Sequence, residues 1–303
     1  MTGPPPATAA VRLAVRRSLS DVTERVVAAV SGGADSLALA SALAFERPGS
    51  RAVVVDHGLQ EGSAAVASRA AEQCEELGLR AEVLTGAPGA GNAGPEALAR
   101  QIRYDVLDAV DGVKLLGHTR DDQAESVLLG LVRGSGARAL SGMPAMRGDY
   151  RRPFLDLSRA MTRAACDEAG LVPWEDPHND DPAFLRVKVR QLLQGLDLTE
   201  GLARSARLLR EDADALDAMA QAECEVGPLA LLPPALRARS LKLWAEQECG
   251  QAVTSAHVDA LRALVEAWRG QGAVALPGGG RVTRSEGRLV FTPHESDPLA
   301  FGR

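Results

Sequence analysis

The chain has few cysteines, and they lie far apart. Its 303 residues contain four, and no two of them form a CxxC pair. This spacing argues against a disulfide framework, a zinc site and an iron–sulfur cluster, which are typically built from paired or clustered cysteines. We therefore predict free thiols in a reducing cytoplasm. The four are Cys74, Cys166, Cys224 and Cys249.

Long hydrophobic runs are also missing. No stretch approaches the roughly 20 apolar residues of a membrane-spanning helix. The N-terminus lacks the apolar core that a signal peptide has before its cleavage site. The sequence thus predicts no membrane partner and a cytoplasmic location.

An excess of positive charge is absent as well. Thirty-four lysines and arginines stand against 40 acids, which gives a net charge of −6. No global basic field attracts nucleic acid, so a nucleic-acid partner would need local basic patches. Residues 133–163 form one such patch, with seven arginines and two acids.

What the sequence does have is an alternation of strand and helix patterns from residue 25 to 134. β-branched runs such as RAVVVD (51–56) alternate with Ala- and Leu-rich segments such as residues 63–78. Such alternation predicts an α/β fold with a doubly wound, mostly parallel sheet. Residues 133–153 (RGSGARALSGMPAMRGDYRRP), rich in glycine and arginine, are instead predicted to form a functional loop, and a helix follows at 158–169.

The pattern changes again in the last third of the chain. Beyond residue 198, apolar residues recur every three or four positions, first from Leu202 to Ala220 and again from Val258 to Trp268. This spacing predicts amphipathic helices. The segment GAVALPGGGRVTRSEGRLVF predicts short strands joined by turns. We place the domain boundary near residue 195, between a domain at 1–195 and a smaller, mainly α-helical domain at 196–303 with a short β-rich end.

The segment VAAVSGGADS (27–36) places two glycines, an acid and two serines directly after an apolar strand pattern. Glycines permit positive φ and a close approach of the backbone to a ligand. Consecutive N–H groups that lead into a helix N-terminus attract phosphate. Asp35 would repel a phosphate unless it caps the helix or faces a cation such as Mg²⁺. The segment therefore fits a phosphate site or a plain structural turn.

Further motifs follow in a fixed order, and together they resemble one family. The loop matches SGGxDS, the signature of the PP-loop ATP pyrophosphatases. With it, these motifs are similar to the tRNA(Ile)-lysidine synthetases over roughly residues 25–190. They are VDHGL (55–59), ARQIRY (99–104), GHTRDDQAES (117–126), RGSGARALSGM (133–143), RRPFLDLSR (151–159) and WEDPHNDD (174–181).

The resemblance implies a reaction in two steps. ATP adenylates the 2-carbonyl oxygen of the wobble cytidine of a CAU-anticodon tRNA(Ile), releasing pyrophosphate. The ε-amine of free L-lysine then attacks carbon 2 and expels AMP. Departure of pyrophosphate calls for Mg²⁺ and positive charge, and the attacking amine must lose a proton. ATP and Mg²⁺ are thus the implied cofactors, and tRNA(Ile) and lysine the implied partners.

The resemblance also implies roles for individual residues. The catalytic set is Asp35, Arg100, Arg103, Asp122 and Glu125. Asp122 and Glu125 would bind the substrate lysine, and Asp35 would meet Mg²⁺ or the incoming amine. The ATP-binding set is Ser31, Gly32, Gly33, Ala34, Asp35, Ser36, Asp56, His57, Gly117 and His118. The basic clusters offer Arg133, Arg138, Arg151, Arg152, Arg186, Lys188 and Arg190 as contacts for tRNA phosphates.

Plainer interpretations remain open for several of these residues. Asp122 and Glu125 lie three apart on one helical face, and acids also favour the first turn of an ordinary helix. His57 and His118 lack metal-ligand spacing. Exposed arginines are often simply solvated. For the whole chain, the alternatives are another PP-loop enzyme such as a tRNA thiolase, a small-molecule ligase, or a nucleotide sensor without turnover.

The sequence departs from the family pattern at two points. RVKVR (186–190) has Val187 where the family usually has asparagine, so that contact is in doubt. The chain also stops near residue 303, and we expect it to lack the additional C-terminal domain of longer members. A homodimer is compatible with the sequence, which leaves the oligomeric state open.

Overall fold

The structure is a computed structural model, and it describes residues 3–58, 62–86, 95–175 and 185–294. Leu59 of the VDHGL motif and residues 176–181 of WEDPHNDD lie outside these ranges. The chain divides into two compact units, Met1–Arg210 and Glu211–Arg303. In the described ranges, no helix is long and apolar enough to cross a membrane.

The first unit is built on a six-stranded sheet with the order β3-β2-β1-β4-β6-β5. Five strands run parallel, and β5 alone is antiparallel, pairing with β6. This arrangement confirms the α/β class and the mostly parallel sheet. The strands are β1 (Val26–Val30), β2 (Arg51–Asp56), β3 (Arg80–Thr85), β4 (Val113–Leu116), β5 (Met146–Arg147) and β6 (Tyr150–Arg151).

Helices cover both faces of this sheet, as parallel strands require. On one face, Leu37 and Leu43 are fully buried in a large core that includes Val15 and Phe154. On the other face, Leu107 packs in a smaller cluster with central strand residues. The helices are α1 (Pro6–Ser18), α2 (Ala34–Glu46), α3 (Ser63–Glu76), α4 (Pro95–Asp108), α5 (Arg120–Val132), α6 (Ala137–Leu140), α7 (Arg159–Glu168), α8 (Leu185–Leu196) and α9 (Thr199–Met219).

The prediction of a loop without core elements at 133–153 is wrong in part. This stretch contains α6 and the two-residue strands β5 and β6, which extend the sheet. Phe154 is fully buried, and the ring of Tyr150 packs edge-on against Tyr104 with centroids 5.2 Å apart. Two-residue strands are too short to show an alternating pattern, so the sequence does not reveal them.

The order of the strands creates a crevice between β1 and β4. From β1 the chain continues to β2 and β3 on one side, while β4 leads to β6 and β5 on the other. Ligands of open α/β sheets bind at such a switch point, outside the carboxyl ends of the strands. The segment 31–36 follows β1 and the segment 117–126 follows β4, so the fold places these two motifs at the crevice.

The second unit has its own core of helices and a small antiparallel sheet. Trp244 and Leu261 are buried in it with Val282 and Leu289 from the sheet, whose order is β7-β8-β9. These strands lie in the segment for which the sequence predicts short strands. Trp268 is not part of the last helix, which ends at Glu266. The elements are α10 (Val226–Leu231), α11 (Pro234–Cys249), α12 (Ser255–Glu266), β7 (Val274–Ala275), β8 (Arg281–Ser285) and β9 (Arg288–Thr292).

Candidate active site

The phosphate-loop motif forms a tight turn between β1 and α2. Gly32 adopts a φ of +85°, which favours glycine. The Ser36 hydroxyl donates to the Gly33 carbonyl at 2.8 Å and accepts from the Ser31 N–H at 3.1 Å. The loop is therefore closed on itself by a buried serine before any ligand arrives.

The same loop offers a row of unused donors. The N–H groups of Gly32, Gly33, Ala34 and Asp35 donate to no described residue. They are the last loop amides and the first amides of α2, where the helix has no internal acceptors to offer. An anion at this position would receive several backbone hydrogen bonds and the favourable end of the helix dipole. The arrangement fits the phosphates of ATP.

Gly117 contributes by its lack of a side chain. A Cβ atom there would lie 3.0 Å from the Asp35 carbonyl oxygen and 3.3 Å from the Ser36 nitrogen, and both of these are backbone atoms. The exit of β4 thus passes directly against the start of α2. The close contact at Gly117 sets the distance between the end of β4 and the start of α2, which carry the two halves of the site.

Replacing Gly117 by alanine is expected to raise the KM for ATP and to lower stability by about 1–3 kcal/mol, because backbone must move to admit the methyl group. Melting curves and the ATP dependence of AMP formation measure both effects. Gly201→Ala is the matched control, since a Cβ at that helical position meets nothing within 4 Å. Equal behaviour of the two variants would show that the close packing at Gly117 is unimportant.

Asp35 lies in the crevice at the start of α2. Its Oδ1 accepts a hydrogen bond from the Thr162 hydroxyl, and its Oδ2 lies 3.8 Å from the Arg159 Nε. The pKa of Asp35 is raised to about 6, mainly by burial and also by the nearby carboxylates of Asp122 and Asp121. The hydrogen bond from Thr162 and the charge of Arg159 lower it in part. The pKa of Asp35 thus lies close to neutral pH, so this carboxyl group can gain or lose a proton there.

Asp122 has a structural task besides any chemical one. With Thr119 it forms the capping box of α5: its Oδ2 accepts from the Thr119 N–H at 2.7 Å and from the Thr119 hydroxyl at 3.0 Å. Its other oxygen, Oδ1, accepts from the Arg159 Nη2 at 2.8 Å. Burial works to raise the pKa of Asp122, but Arg159, Thr119 and His118 outweigh it and hold the pKa below its usual value.

Glu125 is almost completely buried, with 1% of its surface exposed. Its Oε1 accepts from the Arg190 Nε at 2.9 Å and from both terminal nitrogens of Arg159 at 3.1 Å. Its Oε2 lies 3.3 Å from the Arg186 Nε. Glu125 therefore joins three helices, α5, α7 and α8, through ion pairs in which its own carboxylate is buried and the arginines are partly exposed.

Arg159 connects all three acids, and the sequence reasoning did not include it among the site residues. It is the last residue of RRPFLDLSR and the first of α7, where its N–H donates to the Asp121 carboxylate at 2.8 Å. Burial lowers the pKa of the guanidinium, but four nearby carboxylates raise it by more than burial lowers it. Arg159 therefore stays charged. Its position at the end of the RRPFLDLSR motif is the only sequence feature that points to it.

His118 directly follows Gly117 and lies on the same side of the crevice as Asp122. The pKa of His118 is lowered to about 4, mainly by burial. The positive charges of Arg152, Arg103 and Arg100 lower it as well, whereas the negative charge of Asp122 raises it. The imidazole is thus neutral at pH 7. Its Nδ1 is buried and has no hydrogen-bond partner among the described residues, which fits a polar ligand at this point.

The remaining residues assigned to ATP and catalysis lie on elements around the crevice. Asp56 ends β2, is buried, and accepts from the Gly58 N–H at 3.0 Å. His57 follows it and is half-buried. On α4, Arg100 is exposed with its guanidinium 4.9 Å from the Tyr104 ring centre. Burial lowers the pKa of Arg103.

The arginines and the lysine assigned to tRNA fall into two groups. Arg133, Arg138 and Lys188 are exposed. The other four are less exposed: Arg151 pairs with Asp21 at 2.8 Å, Arg152 is buried and donates to the Pro144 carbonyl at 2.9 Å, and Arg186 and Arg190 pair with Glu125. Val187, the departure from the family pattern, is buried and faces the interior.

The cysteines form neither a cluster nor a disulfide in the described ranges. All four are free, and burial raises the pKa of Cys74 to about 12 and of Cys166 to about 11. Thiols with such pKa values are poor nucleophiles at pH 7. The same ranges hold no group of three or more His, Cys, Asp and Glu side chains that would bind a metal ion.

Known proteins are similar to this chain over most of its length. Residues 8–196 match the PP-loop domain family, and residues 225–290 match the TilS substrate binding domain. The tRNA(Ile)-lysidine synthase of Thermobifida fusca is 49% identical, covering 96% of this chain and 99% of that relative. The chain belongs to the tRNA(Ile)-lysidine synthase family. A second member, from Salinispora tropica, is 47% identical over 94% of this chain and 96% of its own length.

Membership of the tRNA(Ile)-lysidine synthase family confirms the resemblance and makes the chain a ligase with a PP-loop ATP-binding domain. The fold extends further than the family. The U34-tRNA thiolase NcsA from Methanococcus maripaludis, solved with its [4Fe-4S] cluster, aligns with a TM-score of 0.55 and 19% identity over 67% of this chain and 80% of that one. That likeness concerns the fold alone, and the dispersed cysteines of this chain give no support to cluster chemistry.

Proposed function

We propose that this chain joins L-lysine to carbon 2 of the wobble cytidine in CAU-anticodon tRNA(Ile). ATP first adenylates the 2-carbonyl oxygen of the base and releases pyrophosphate. The lysine ε-amine then forms the new C–N bond as AMP departs with the former carbonyl oxygen. The observation that carries the proposal is the crevice between β1 and β4: four amides of the loop after β1 donate to no described residue, and Arg159 links Asp35 to the Asp122 and Glu125 carboxylates.

Each part of the crevice has a task in this proposal. The N–H groups of the 31–36 loop hold the phosphates, and Asp56, His57, Gly117 and His118 line the nucleotide site. Mg²⁺ usually binds through one or two carboxylates and substrate phosphates, so Asp35 alone suffices on the protein side, where the ion would neutralise charge on the leaving pyrophosphate. Asp35 would otherwise accept the proton of the attacking amine, for which a pKa of about 6 is suited.

The basic residues supply the remaining contacts. We assign Arg100 and Arg103 to the target base or the reacting phosphate, and Asp122 and Glu125 to the ammonium groups of lysine. Arg133, Arg138 and Lys188 are the exposed candidates for tRNA phosphates, and residues 196–303 read the shape of the tRNA. Contacts with phosphates weaken as salt rises.

Incubation with ATP, Mg²⁺, labelled lysine and bulk tRNA tests the proposal. We expect label in tRNA(Ile), one AMP and one pyrophosphate per lysine, and no label in the methionine tRNA with the same anticodon. Omission of ATP is the control. Free label together with incorporation of sulfur from a sulfur donor would instead support the thiolase alternative.

A further inference from the structure

Arg159 occupies the position that a lysine ammonium would need. A carboxylate has about four lone-pair sites, two on each oxygen. Both sites on the Asp122 Oδ2 are taken by Thr119, and the Glu125 Oε1 already receives three N–H groups. The Arg159 Nη2 is the atom that bridges the two acids, at 2.8 Å from Asp122 and 3.1 Å from Glu125.

The charges of the cluster lead to the same conclusion. Among the described residues of the cluster, Asp35, Asp121, Asp122 and Glu125 supply four negative charges, and Arg159, Arg186 and Arg190 supply three positive ones. One negative charge remains, and free lysine at neutral pH has a net charge of +1. The charge of the cluster therefore suits lysine, and an ammonium can take the bridging position between Asp122 and Glu125 once Arg159 leaves it.

A second acceptor for Arg159 lies within reach. Its Nε is already 3.8 Å from the Asp35 Oδ2. In the described ranges, the only hydrogen bond to the Asp35 carboxylate comes from Thr162 and goes to the other oxygen, Oδ1. A change of side-chain rotamer would let the guanidinium exchange Asp122 and Glu125 for Asp35. Its charge would then stay paired throughout.

We propose that Arg159 is a built-in substitute for the substrate ammonium: it fills the bridge between Asp122 and Glu125 in the empty enzyme and moves towards Asp35 when lysine binds. This rests on the proposed function. Arg159 thereby competes with lysine for the same carboxylates, and it discourages binding of cations that cannot displace it. It is a positioning and specificity-determining residue, since it acts through the acids that hold the substrate.

The lysine KM of Arg159→Met tests this directly. Removal of the competing cation is expected to lower the KM for lysine by about three- to tenfold, the effect of losing one charge-assisted contact. Guanidinium ion at low millimolar concentration should raise that KM again in the variant and leave the wild-type KM unchanged. Arg16→Met, which removes an exposed pair with Glu46, is the control and should leave both values unchanged.

A purely supporting role for Arg159 predicts the opposite signs. The KM for lysine would then rise in Arg159→Met, and guanidinium would lower it by filling the gap; either result overturns the proposal. Arg159→Gln replaces the first variant if melting curves show that Arg159→Met does not fold. Failure of the proposed function itself is seen separately, because wild-type enzyme would then incorporate no labelled lysine.

Discussion

Asp35→Asn is expected to lower the rate of AMP formation roughly a thousandfold while making the folded protein more stable at pH 8. The loss of rate follows from the removal of the Asp35 carboxylate at the end of the phosphate loop, which either binds Mg²⁺ or accepts a proton in the proposed reaction. Both half-reactions should be affected, so pyrophosphate release without lysine should fall as well.

The gain in stability follows from the pKa of Asp35. It is raised from 3.8 to about 6, so the folded protein binds this proton more tightly than the unfolded chain does. The ionised carboxylate then destabilises the fold by about 2–3 kcal/mol above pH 6, and this cost disappears as pH falls from 6 to 4. Asparagine removes the cost.

Thermal unfolding at several pH values measures this effect. The melting temperature of Asp35→Asn should exceed that of the wild type by several degrees at pH 8 and equal it near pH 4. Asp167→Asn, at an exposed position of α7, is the control and should show neither change. A variant with lower stability at pH 8, or with full activity, would contradict the assigned environment of Asp35.

Glu125→Gln is expected to destabilise the first unit by about 3 kcal/mol and to reduce lysine incorporation roughly a hundredfold. The substitution keeps the shape of the side chain but removes the negative charge that pairs with Arg159, Arg186 and Arg190. The guanidinium groups of Arg159, Arg186 and Arg190 then lie close together with one carboxylate fewer to balance their charges. The ion pairs between α8 and α5 are weakened, while the apolar packing of Val189 and Leu193 on α5 remains.

The two half-reactions should respond differently to this substitution. Release of pyrophosphate with tRNA and ATP alone should persist in Glu125→Gln, while the KM for lysine rises. Glu200→Gln is the matched control, because Glu200 is 84% exposed in its pair with Arg120 and such pairs contribute little. A variant that matches this control in both melting temperature and lysine KM would remove Glu125 from the site.

The part of the fold that could be predicted from sequence is the part with periodic patterns. Strand β2 is found at the predicted residues 51–56, and α4 begins at Pro95 as expected. The glycine loop and the acids of DDQAES lie at neighbouring strand ends. Their proximity follows from the strand order, in which β1 and β4 are adjacent.

The parts that escaped prediction depend on contacts between distant residues. Arg159 is 124 positions from Asp35 and 34 from Glu125, and no local pattern indicates that its guanidinium reaches both. The burial of Arg152 and the pairing of Arg151 with Asp21 have the same origin. Arginine-rich segments look alike in sequence whether they face solvent or bind protein acids.

The central claim is that the amides of residues 32–35 hold the phosphates of ATP at the crevice between β1 and β4. A crystal structure with a nonhydrolysable ATP analogue is its most direct test. The account predicts phosphate oxygens within hydrogen-bond distance of these four N–H groups, with the His118 Nδ1 on the same side of the crevice. An analogue bound elsewhere on the chain, with these amides still unused, would contradict it.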